Sequence, residues 1–376
     1  MENKRRVAVI FGGQSSEHEV SRVSAQSIIN NIDRNKFDVV MIGITKDGRW
    51  LHYYGPVEKL ATGEWQSIAE AGMGKKELMP GCSALSQASG FVSPRYIFKA
   101  AGAEDDCKTI DVAIPVLHGI NGEDGTIQGL LELAGIPYVG CGVLGSALGM
   151  DKAYAKIIFE KEGIPQGKYL VFSRKQVEQS ADSLAAKVES MLTYPCFVKP
   201  SNAGSSVGVS KAHNREELVA ALHFAARYDR RILVEEFMNG REVECAVLGN
   251  DEPMASTVGE VVPCNEFYDY EAKYNSKDSS KVIIPADLPS ATVELVRNYA
   301  VKAFKALDCS GLSRVDFFVD KVTGAVYINE INTFPGFTQI SMYPKLWEVS
   351  GIPYGKLIER LIELAIERFE ESRREI

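Results

Sequence analysis

The chain has 376 residues, 45% of them hydrophobic, so it can bury sizeable cores, and its length predicts two or three globular domains. A formal net charge of −8 gives no general attraction to nucleic acid or anionic membrane, which argues against polyanion binding as the main role and leaves room only for a local basic pocket. The seven cysteines include no C-x-x-C pair and no apolar run is long enough to span a bilayer, so we expect a cytoplasmic protein with reduced thiols.

The first part of the chain, residues 1–144, is expected to form an α/β domain. An apolar run at residues 7–11 predicts a strand, which a glycine turn and a helical pattern of apolar residues follow. Similar runs at residues 37–44 and 112–117 predict two further strands. Strands that alternate with helices indicate a small parallel, Rossmann-like sheet.

Two further segments, residues 145–240 and 241–376, complete the predicted organisation. A helix is expected from Lys152 onward, and short apolar strands with one more helix fill the rest of the first segment. The second segment combines strands, a polar loop, a helix at residues 292–307, a hairpin and an amphipathic helix from residue 354 onward. The pattern therefore predicts an α/β protein of three parts.

The hairpin near the C-terminus carries the clearest chemical signal. Alternate residues of a strand point the same way, so Arg314 and Asp316 project together on one strand and Glu330 and Asn332 on the next. A symmetric turn at residues 320–324 makes Asp316 and Glu330 diagonal neighbours, about 7 Å apart. Carboxylate and amide oxygens are ligands that Mg²⁺ accepts together with phosphate oxygens. The alternative is an ordinary charged, solvent-facing hairpin.

A loop of small residues follows the strand that ends in Lys199. Its glycines let the backbone approach a ligand, while successive N–H groups, the hydroxyls of Ser205 and Ser206, and the Lys199 ammonium suit phosphate. The segment lacks the G-x-x-x-x-G-K-[ST] pattern, so it is not a Walker loop. A flexible hairpin turn is the alternative interpretation.

An apolar strand that begins at residue 232 turns acidic at Glu235 and ends at residues 239–240. The edge of a strand offers N–H and C=O groups to a purine rim, and Glu235 can accept a hydrogen bond from its amino group. Glu242 is placed to hold ribose hydroxyls. The alternative is an acidic strand end on the protein surface.

Taken in order, these motifs resemble the ATP-grasp superfamily. Nearly the whole chain is similar to its D-alanine:D-alanine ligase family, through FGGQSSEHEVS (residues 11–21), HGINGEDG (118–125), EAKY (271–274) and NTFPGFT (332–338). The resemblance implies an N-terminal parallel-sheet, Rossmann-like (pre-ATP-grasp) domain followed by a two-part ATP-grasp fold. His118 lies in one of the shared motifs.

The resemblance also implies the reaction. ATP phosphorylates the carboxylate of one D-alanine, and the amine of a second D-alanine attacks the acyl phosphate to give D-alanyl-D-alanine for peptidoglycan precursors. Two Mg²⁺ ions, for which Mn²⁺ can substitute, are implied at Asp316, Glu330 and Asn332. The family further suggests a homodimer formed through the first domain.

Nucleotide-binding roles follow from the same resemblance. Positive charge around the triphosphate is implied for Lys152, Lys199 and Lys273. The side chains and backbone groups implied for the adenosine pocket are those of Glu235, Glu236, Phe237, Met238, Glu242 and Phe267.

Amino-acid binding and catalysis are assigned in the same way. Glu19 is implied to hold the ammonium of the first D-alanine, with helix capping as the alternative role of this region. Arg314 and the Gly336 N–H match the family's pair of donors to the oxyanion. Ser341, with the Met342 backbone, is implied to receive the carboxylate of the second D-alanine.

A lid is expected over residues 267–285, because acyl phosphates hydrolyse and water has to be excluded. The resemblance implies that Tyr274 on this lid bonds Ser205, which in turn joins Glu19. Ser205 with Tyr274 is also the family's candidate for the base that deprotonates the incoming amine, although neither side chain has an evident reason for a pKa near neutrality.

Three alternatives remain at this point. A sister enzyme that joins D-alanine to D-lactate or D-serine shares the frame, but Lys273 and Tyr274 favour the dipeptide former, because depsipeptide ligases of the resistance type usually carry histidine in place of the tyrosine. A nucleotide-binding regulator without catalysis would have damaged metal ligands or no lid tyrosine. A biotin-dependent or purine-pathway carboxylase is not expected to have the Glu19 and Lys273-Tyr274 motifs.

Overall fold

A computed structural model describes residues 4–73, 110–263 and 280–373, which contain three β-sheets. The strands are β1 (Arg5–Gly12), β2 (Phe37–Ile44), β3 (Trp50–Tyr53), β4 (Val112–Val116), β5 (Tyr169–Ser173), β6 (Cys196–Pro200), β7 (Ser210–Ala212), β8 (Arg231–Glu236), β9 (Gly240–Gly249), β10 (Met254–Pro263), β11 (Ser280–Ile283), β12 (Gly311–Asp320) and β13 (Val326–Asn332). The helices are His18–Asn31, Lys59–Thr62, Trp65–Met73, Thr126–Leu133, Val143–Met150, Lys152–Lys161, Arg174–Glu189, Arg215–Ala225, Ser290–Ala306, Met342–Val349 and Tyr354–Glu371.

The first sheet has the order β3-β2-β1-β4. Strand β1 pairs in parallel with β2 and β4, whereas β3 adds an antiparallel edge that the sequence did not predict. Helices cover both faces of β1, and a strand buried on both faces has the continuous apolar run seen at residues 7–11. The expected Rossmann-like parallel sheet is therefore confirmed.

The other two sheets are antiparallel and make up the two-part region predicted from the resemblance. One has the order β5-β8-β6-β7 and lies within residues 169–236, and the other has the order β11-β10-β9-β12-β13. The first two sheets fall within the first two predicted segments, and the third falls within residues 241–376 except that β9 begins at Gly240. The segment boundaries at residues 144 and 240 stay predictions.

The register of the β12–β13 hairpin differs from the expected one. Val319 lies opposite Val326, and the pairing shifts by one residue between Phe317 and Asp316. This β-bulge places Asp316 directly opposite Glu330, where a symmetric turn predicted diagonal neighbours. Without the extra residue on β13, Glu330 would point to the other face of the sheet, because a shift of one residue reverses the side chains.

The last helix, Tyr354–Glu371, joins the first sheet to the third. Its buried Leu357 and Leu361 share one apolar core with Val9 of β1 and Leu312 of β12. The sequence predicted the amphipathic helix but not its packing against the first sheet. Because it packs on both parts, it fixes the first domain relative to the β12–β13 face.

Within the described residues, no helix combines the length and the apolar character needed to cross a lipid bilayer.

Candidate functional site

One face of the β12–β13 hairpin collects a guanidinium, two carboxylates and an amide. Arg314 donates from Nε and Nη2 to the two carboxylate oxygens of Asp316, at 2.7 and 2.6 Å, and its Nε lies 2.9 Å from Glu244 Oε2. Asn332 Nδ2 donates to Asp316 Oδ2 at 3.1 Å. Burial alone would lower the pKa of Arg314, but Asp316 and Glu244 raise it, so the guanidinium stays charged.

The donors on this face suit a hard cation. Asp316 and Glu330 are directly opposite each other, and Asn332 lies two residues farther along the same strand. The Asn332 amide nitrogen turns toward Asp316, which leaves its carbonyl oxygen as the potential ligand. No group of three His, Cys, Asp or Glu side chains in the described ranges forms a metal site on its own. One or two carboxylates completed by phosphate oxygens is the arrangement that Mg²⁺ commonly accepts.

Lys152 connects this face to the loop of small residues. Its Nζ lies 3.4 Å from Glu330 Oε2 and donates to the Ala203 carbonyl at 3.0 Å. The start of its helix is also tied to the loop, because Lys152 N donates to the Ser201 carbonyl at 2.9 Å. Lys152 therefore holds the loop of small residues, which suits phosphate, next to the hairpin residues that suit a metal ion.

Lys199 lies at the centre of a second charge cluster. Its Nζ contacts Glu235 Oε2, and Lys156 Nζ lies 2.5 Å from Glu235 Oε1. Burial alone would lower the pKa of Lys199, but Glu235 and Glu330 raise it. Lys156 was not predicted as a site residue, although it lies four residues, or one helical turn, after Lys152 and so on the same face of the helix.

The charge on Glu235 makes acid stability a test of this cluster. Burial alone would raise the pKa of Glu235, but Lys156 and Lys199 lower it from 4.5 to about 2. Between pH 4.5 and about 2, the native state therefore binds fewer protons than the unfolded chain. The stabilisation that the Glu235 charge gives to the fold is complete above pH 4.5 and is lost as pH falls toward 2.

We expect the free energy of unfolding at neutral pH to be higher for the wild type than for Glu235→Gln. This difference should shrink by about 3 kcal/mol as acid protonates the Glu235 carboxylate. Urea unfolding followed by circular dichroism at a series of pH values measures the difference. A difference that does not vary with pH would show that the charge of Glu235 does not stabilise the fold.

The remaining predicted adenosine residues in the described chain lie where β8 leads into β9. Glu236 pairs with Lys168, whose N–H donates to Glu236 Oε1 at 2.6 Å. The half-exposed Phe237 ring lies 6.3 Å from the Phe197 ring, and the Met238 carbonyl accepts from Gly240 N at 3.0 Å. Glu242 is on β9, next to β12.

The carboxylate that meets the phosphate-type loop is that of Glu17. Ser205 Oγ donates a hydrogen bond to Glu17 Oε1. A Cβ added to Gly119 or to Gly204 would lie 2.6 Å from Glu17 Oε2, so the buried carboxylate fits closely between two glycine backbones. Glu17 therefore bridges the first domain and the loop.

Glu19 points elsewhere, and the predicted contact between Ser205 and Glu19 is wrong. The Glu19 side chain is 52% exposed and pairs with Lys46 at 2.6 Å. It belongs to the first turn of the helix His18–Asn31, whereas Glu17 precedes that helix. Residues two apart at a helix start do not share a face, so only one of the two glutamates can meet the loop.

His118 lies behind Glu17 in a buried polar group. Its Nδ1 is 3.2 Å from the Phe334 carbonyl and its Nε2 is 3.2 Å from Ser24 Oγ. Burial lowers the pKa of His118, while burial and the Glu17 charge raise the pKa of Glu123 to about 8. These groups support the wall of the site on the first-domain side.

Gly336 and Ser341 lie together at the start of the helix Met342–Val349. Ser341 Oγ accepts from Thr338 N at 3.1 Å, and a Cβ added to Gly336 would lie 3.2 Å from the same oxygen. Ser341 is the N-cap residue of the helix, so the first N–H groups of the helix are next to it.

Three predicted site residues, Phe267, Lys273 and Tyr274, lie outside the described residues, and so does most of the predicted lid. The end of the lid segment is described, and it forms the edge strand β11, which pairs with β10.

Comparison with known proteins covers nearly the entire chain. The family model described as D-ala D-ala ligase N-terminus matches residues 6–141, and the one described as D-ala D-ala ligase C-terminus matches residues 158–363. A D-alanine--D-alanine ligase from Ruminiclostridium cellulolyticum is 68% identical over 374 residues, which cover 99% of this chain and 98% of that protein. Another from Acetivibrio thermocellus is 64% identical over 375 residues, with 100% and 99% coverage.

Solved structures of D-alanine ligases also match nearly the whole chain. The VanG D-Ala:D-Ser ligase from Enterococcus faecalis has a TM-score of 0.80 and 40% identity, and the match covers 96% of this chain and 100% of that one. The D-alanine-D-alanine ligase from Coxiella burnetii has a TM-score of 0.79 and 34% identity, with 98% and 95% coverage.

Proposed function

This chain belongs to the D-alanine–D-alanine ligase family, and from that premise we propose how its residues carry out the reaction. The enzyme joins two D-alanines to D-alanyl-D-alanine through an acyl phosphate, with release of ADP and phosphate, and so supplies the dipeptide of peptidoglycan precursors. ATP is the phosphoryl donor.

Asp316, Glu330 and Asn332 are assigned to two Mg²⁺ ions, which Mn²⁺ can replace. Such ions, when bound, neutralise phosphate oxygens and reduce the repulsion between the substrate carboxylate and the γ-phosphate. The observation that carries the proposal is the link made by Lys152, which contacts Glu330 on the hairpin and Ala203 in the loop. It brings the oxygen ligands of the hairpin, which suit a metal ion, next to the loop that suits phosphate.

The nucleotide is assigned to the space between the second and third sheets. Lys152, Lys199 and Lys273 are assigned to bind the triphosphate. The adenosine pocket is assigned to Glu235, Glu236, Phe237, Met238, Glu242 and Phe267. The support for this assignment is the position of Phe237 and Met238 at the turn from β8 to β9, directly after the Glu235 cluster.

The first D-alanine is assigned to Glu17, whose carboxylate holds the substrate ammonium in place of the originally expected Glu19. Its burial and its contact with Ser205 support this role, because a charged pair is stronger where water is excluded. Ser205 with Tyr274 is assigned to deprotonation of the incoming amine.

The oxyanion formed by attack on the acyl phosphate is assigned to Arg314 and the Gly336 N–H. Arg314 keeps its charge through Asp316 and Glu244, so it provides a fixed positive group. Ser341 and the Met342 N–H take the carboxylate of the second D-alanine, because the N-terminus of a helix favours an anion.

A homodimer formed through the first domain and a cytoplasmic location complete the proposal. Leu133, on a helix of the first domain, is 79% exposed, and Ile120 is 50% exposed, which gives this domain apolar surface for a partner. Cys141, Cys196, Cys245 and Cys309 are free thiols, as is usual in a reducing compartment.

The second substrate is tested by a coupled assay of ADP release. We expect ADP with D-alanine alone, and kcat/KM for D-alanine at least about tenfold above that for D-serine or D-lactate as the second substrate, because a matched pocket discriminates one hydroxyl or charge by this much. D-Alanine:D-serine ligation is the second candidate, since one of the solved relatives carries that name. No ADP with any D-amino acid would contradict ligation, and a preference for D-lactate at neutral pH would contradict the dipeptide product.

A further inference from the structure

Lys156 is a buried lysine with no role in the assignments above. It is 2% exposed, on the helix Lys152–Lys161, and its ammonium lies 2.5 Å from Glu235 Oε1. Lysine is almost never buried to this degree unless it is paired. The ammonium also lies 5.6 Å from the centre of the Tyr169 ring, so Glu235 and this ring both limit its position.

The backbone around Lys156 is hydrogen-bonded to residues next to β13, the strand that carries Glu330 and Asn332. Gln166 Nε2 donates to the Lys156 carbonyl at 2.8 Å. Gln166 itself bridges to Ile328 of β13, and Ile328 N donates to the Pro165 carbonyl at 2.8 Å. Lys156 is therefore held in place relative to the hairpin that carries Glu330.

The charges in this cluster do not cancel. Two ammonium groups, Lys156 and Lys199, share the single carboxylate of Glu235, one on each oxygen. The surplus is one positive charge. Glu330 of the hairpin also raises the pKa of Lys199. Lys156 occupies the other oxygen and leaves Lys199 shared between two acidic groups.

We propose that Lys156 is a positioning residue for the nucleotide: by satisfying Glu235, it keeps the charge of Lys199 available to the phosphate groups. The proposal rests on the assignment of ATP to this site and adds a residue that does not itself touch phosphate. Without Lys156, Glu235 would pair with Lys199 alone, and nucleotide binding would have to break that buried pair.

The test compares Lys156→Met with Lys156→Arg and with Lys161→Met, an exposed lysine on the same helix. We expect Lys156→Met to raise the KM for ATP and the Kd for ADP about 10- to 100-fold, since the charge-assisted hydrogen bond from Lys199 to the phosphates is weakened or lost. The Kd for adenosine and the KM for D-alanine should change much less. Lys156→Arg should restore most of the ADP affinity, and Lys161→Met should behave as the wild type.

The double variant Lys156→Met/Glu235→Gln separates this role from a structural one. Its Kd for ADP, taken relative to its Kd for adenosine, should return toward the wild-type ratio, because removal of the carboxylate releases Lys199 again, whereas a contact of Glu235 with adenosine affects both ligands alike. Circular dichroism checks that each variant folds, and Lys156→Gln replaces Lys156→Met in the cycle if the methionine variant does not. Wild-type ADP affinity in the single variant, equal weakening of ADP and adenosine, or additive losses in the double variant would each overturn the proposal. Failure of the wild type to release ADP would instead contradict the ligase function.

Discussion

Replacement of Asp316 by asparagine should lower kcat by about 100-fold or more while the fold survives. Asparagine has the same shape and can keep a hydrogen bond to Arg314, so the hairpin is expected to remain intact. The negative charge is lost, however, and with it one of the two carboxylates assigned to the cations. Loss of a preorganised charge that acts on the transition state typically has an effect of about this size.

The measurement is ADP release at saturating ATP and D-alanine, with circular dichroism and thermal unfolding as checks on the fold. Asp320→Asn is the matched control, because Asp320 ends the same strand and its side chain accepts hydrogen bonds from the turn, at Val322 N and Thr323. Its activity should equal that of the wild type. Unchanged turnover in Asp316→Asn would remove Asp316 from the metal site.

Glu17→Gln should cause a large loss of activity and Glu19→Gln almost none. The Glu17 carboxylate is buried against Ser205 and two glycines, where its charge is the group assigned to the substrate ammonium. Glu19 is half-exposed and pairs with Lys46 in solvent, where an ion pair contributes little. For Glu17→Gln we expect kcat/KM for D-alanine to fall by about 100-fold, since a buried charge-assisted contact is lost.

The two variants form a matched pair, because they make the same chemical change two residues apart in one motif. Initial rates over a range of D-alanine concentrations give the comparison, and the KM for ATP should stay near the wild-type value in both. If Glu19→Gln lost activity while Glu17→Gln kept it, the assignment of the ammonium site to Glu17 would be wrong.

Much of the architecture was predictable because apolar patterns report directly on burial. The continuous apolar run of β1 predicted a parallel strand, and the alternation at Arg314–Asp316 predicted a polar face on the hairpin. The order of the motifs was sufficient to recognise the family. None of these inferences required the position of one chain segment relative to another.

The wrong predictions concern contacts that depend on how one segment of the chain lies relative to another. The register of β12 and β13 depends on the turn and on a bulge, and the sequence contains no clear marker for either one. Glu17 and Glu19 are equivalent as letters in a motif, and the difference between them is that the helix begins at residue 18. Lys156 lies one helical turn after Lys152, but its pairing with Glu235 depends on burial, which Lys161 on the same helix does not share. The sequence shows which residue types are present, but tertiary packing selects the ones that meet.

The most direct test of the metal assignment is a crystal structure of the enzyme with ADP and Mn²⁺, with anomalous data collected near the manganese absorption edge. We expect anomalous peaks about 2 Å from side-chain oxygens of Asp316, Glu330 and Asn332, between the hairpin and the phosphates. Peaks that lie away from these three side chains, with the nucleotide bound, would contradict the metal assignment.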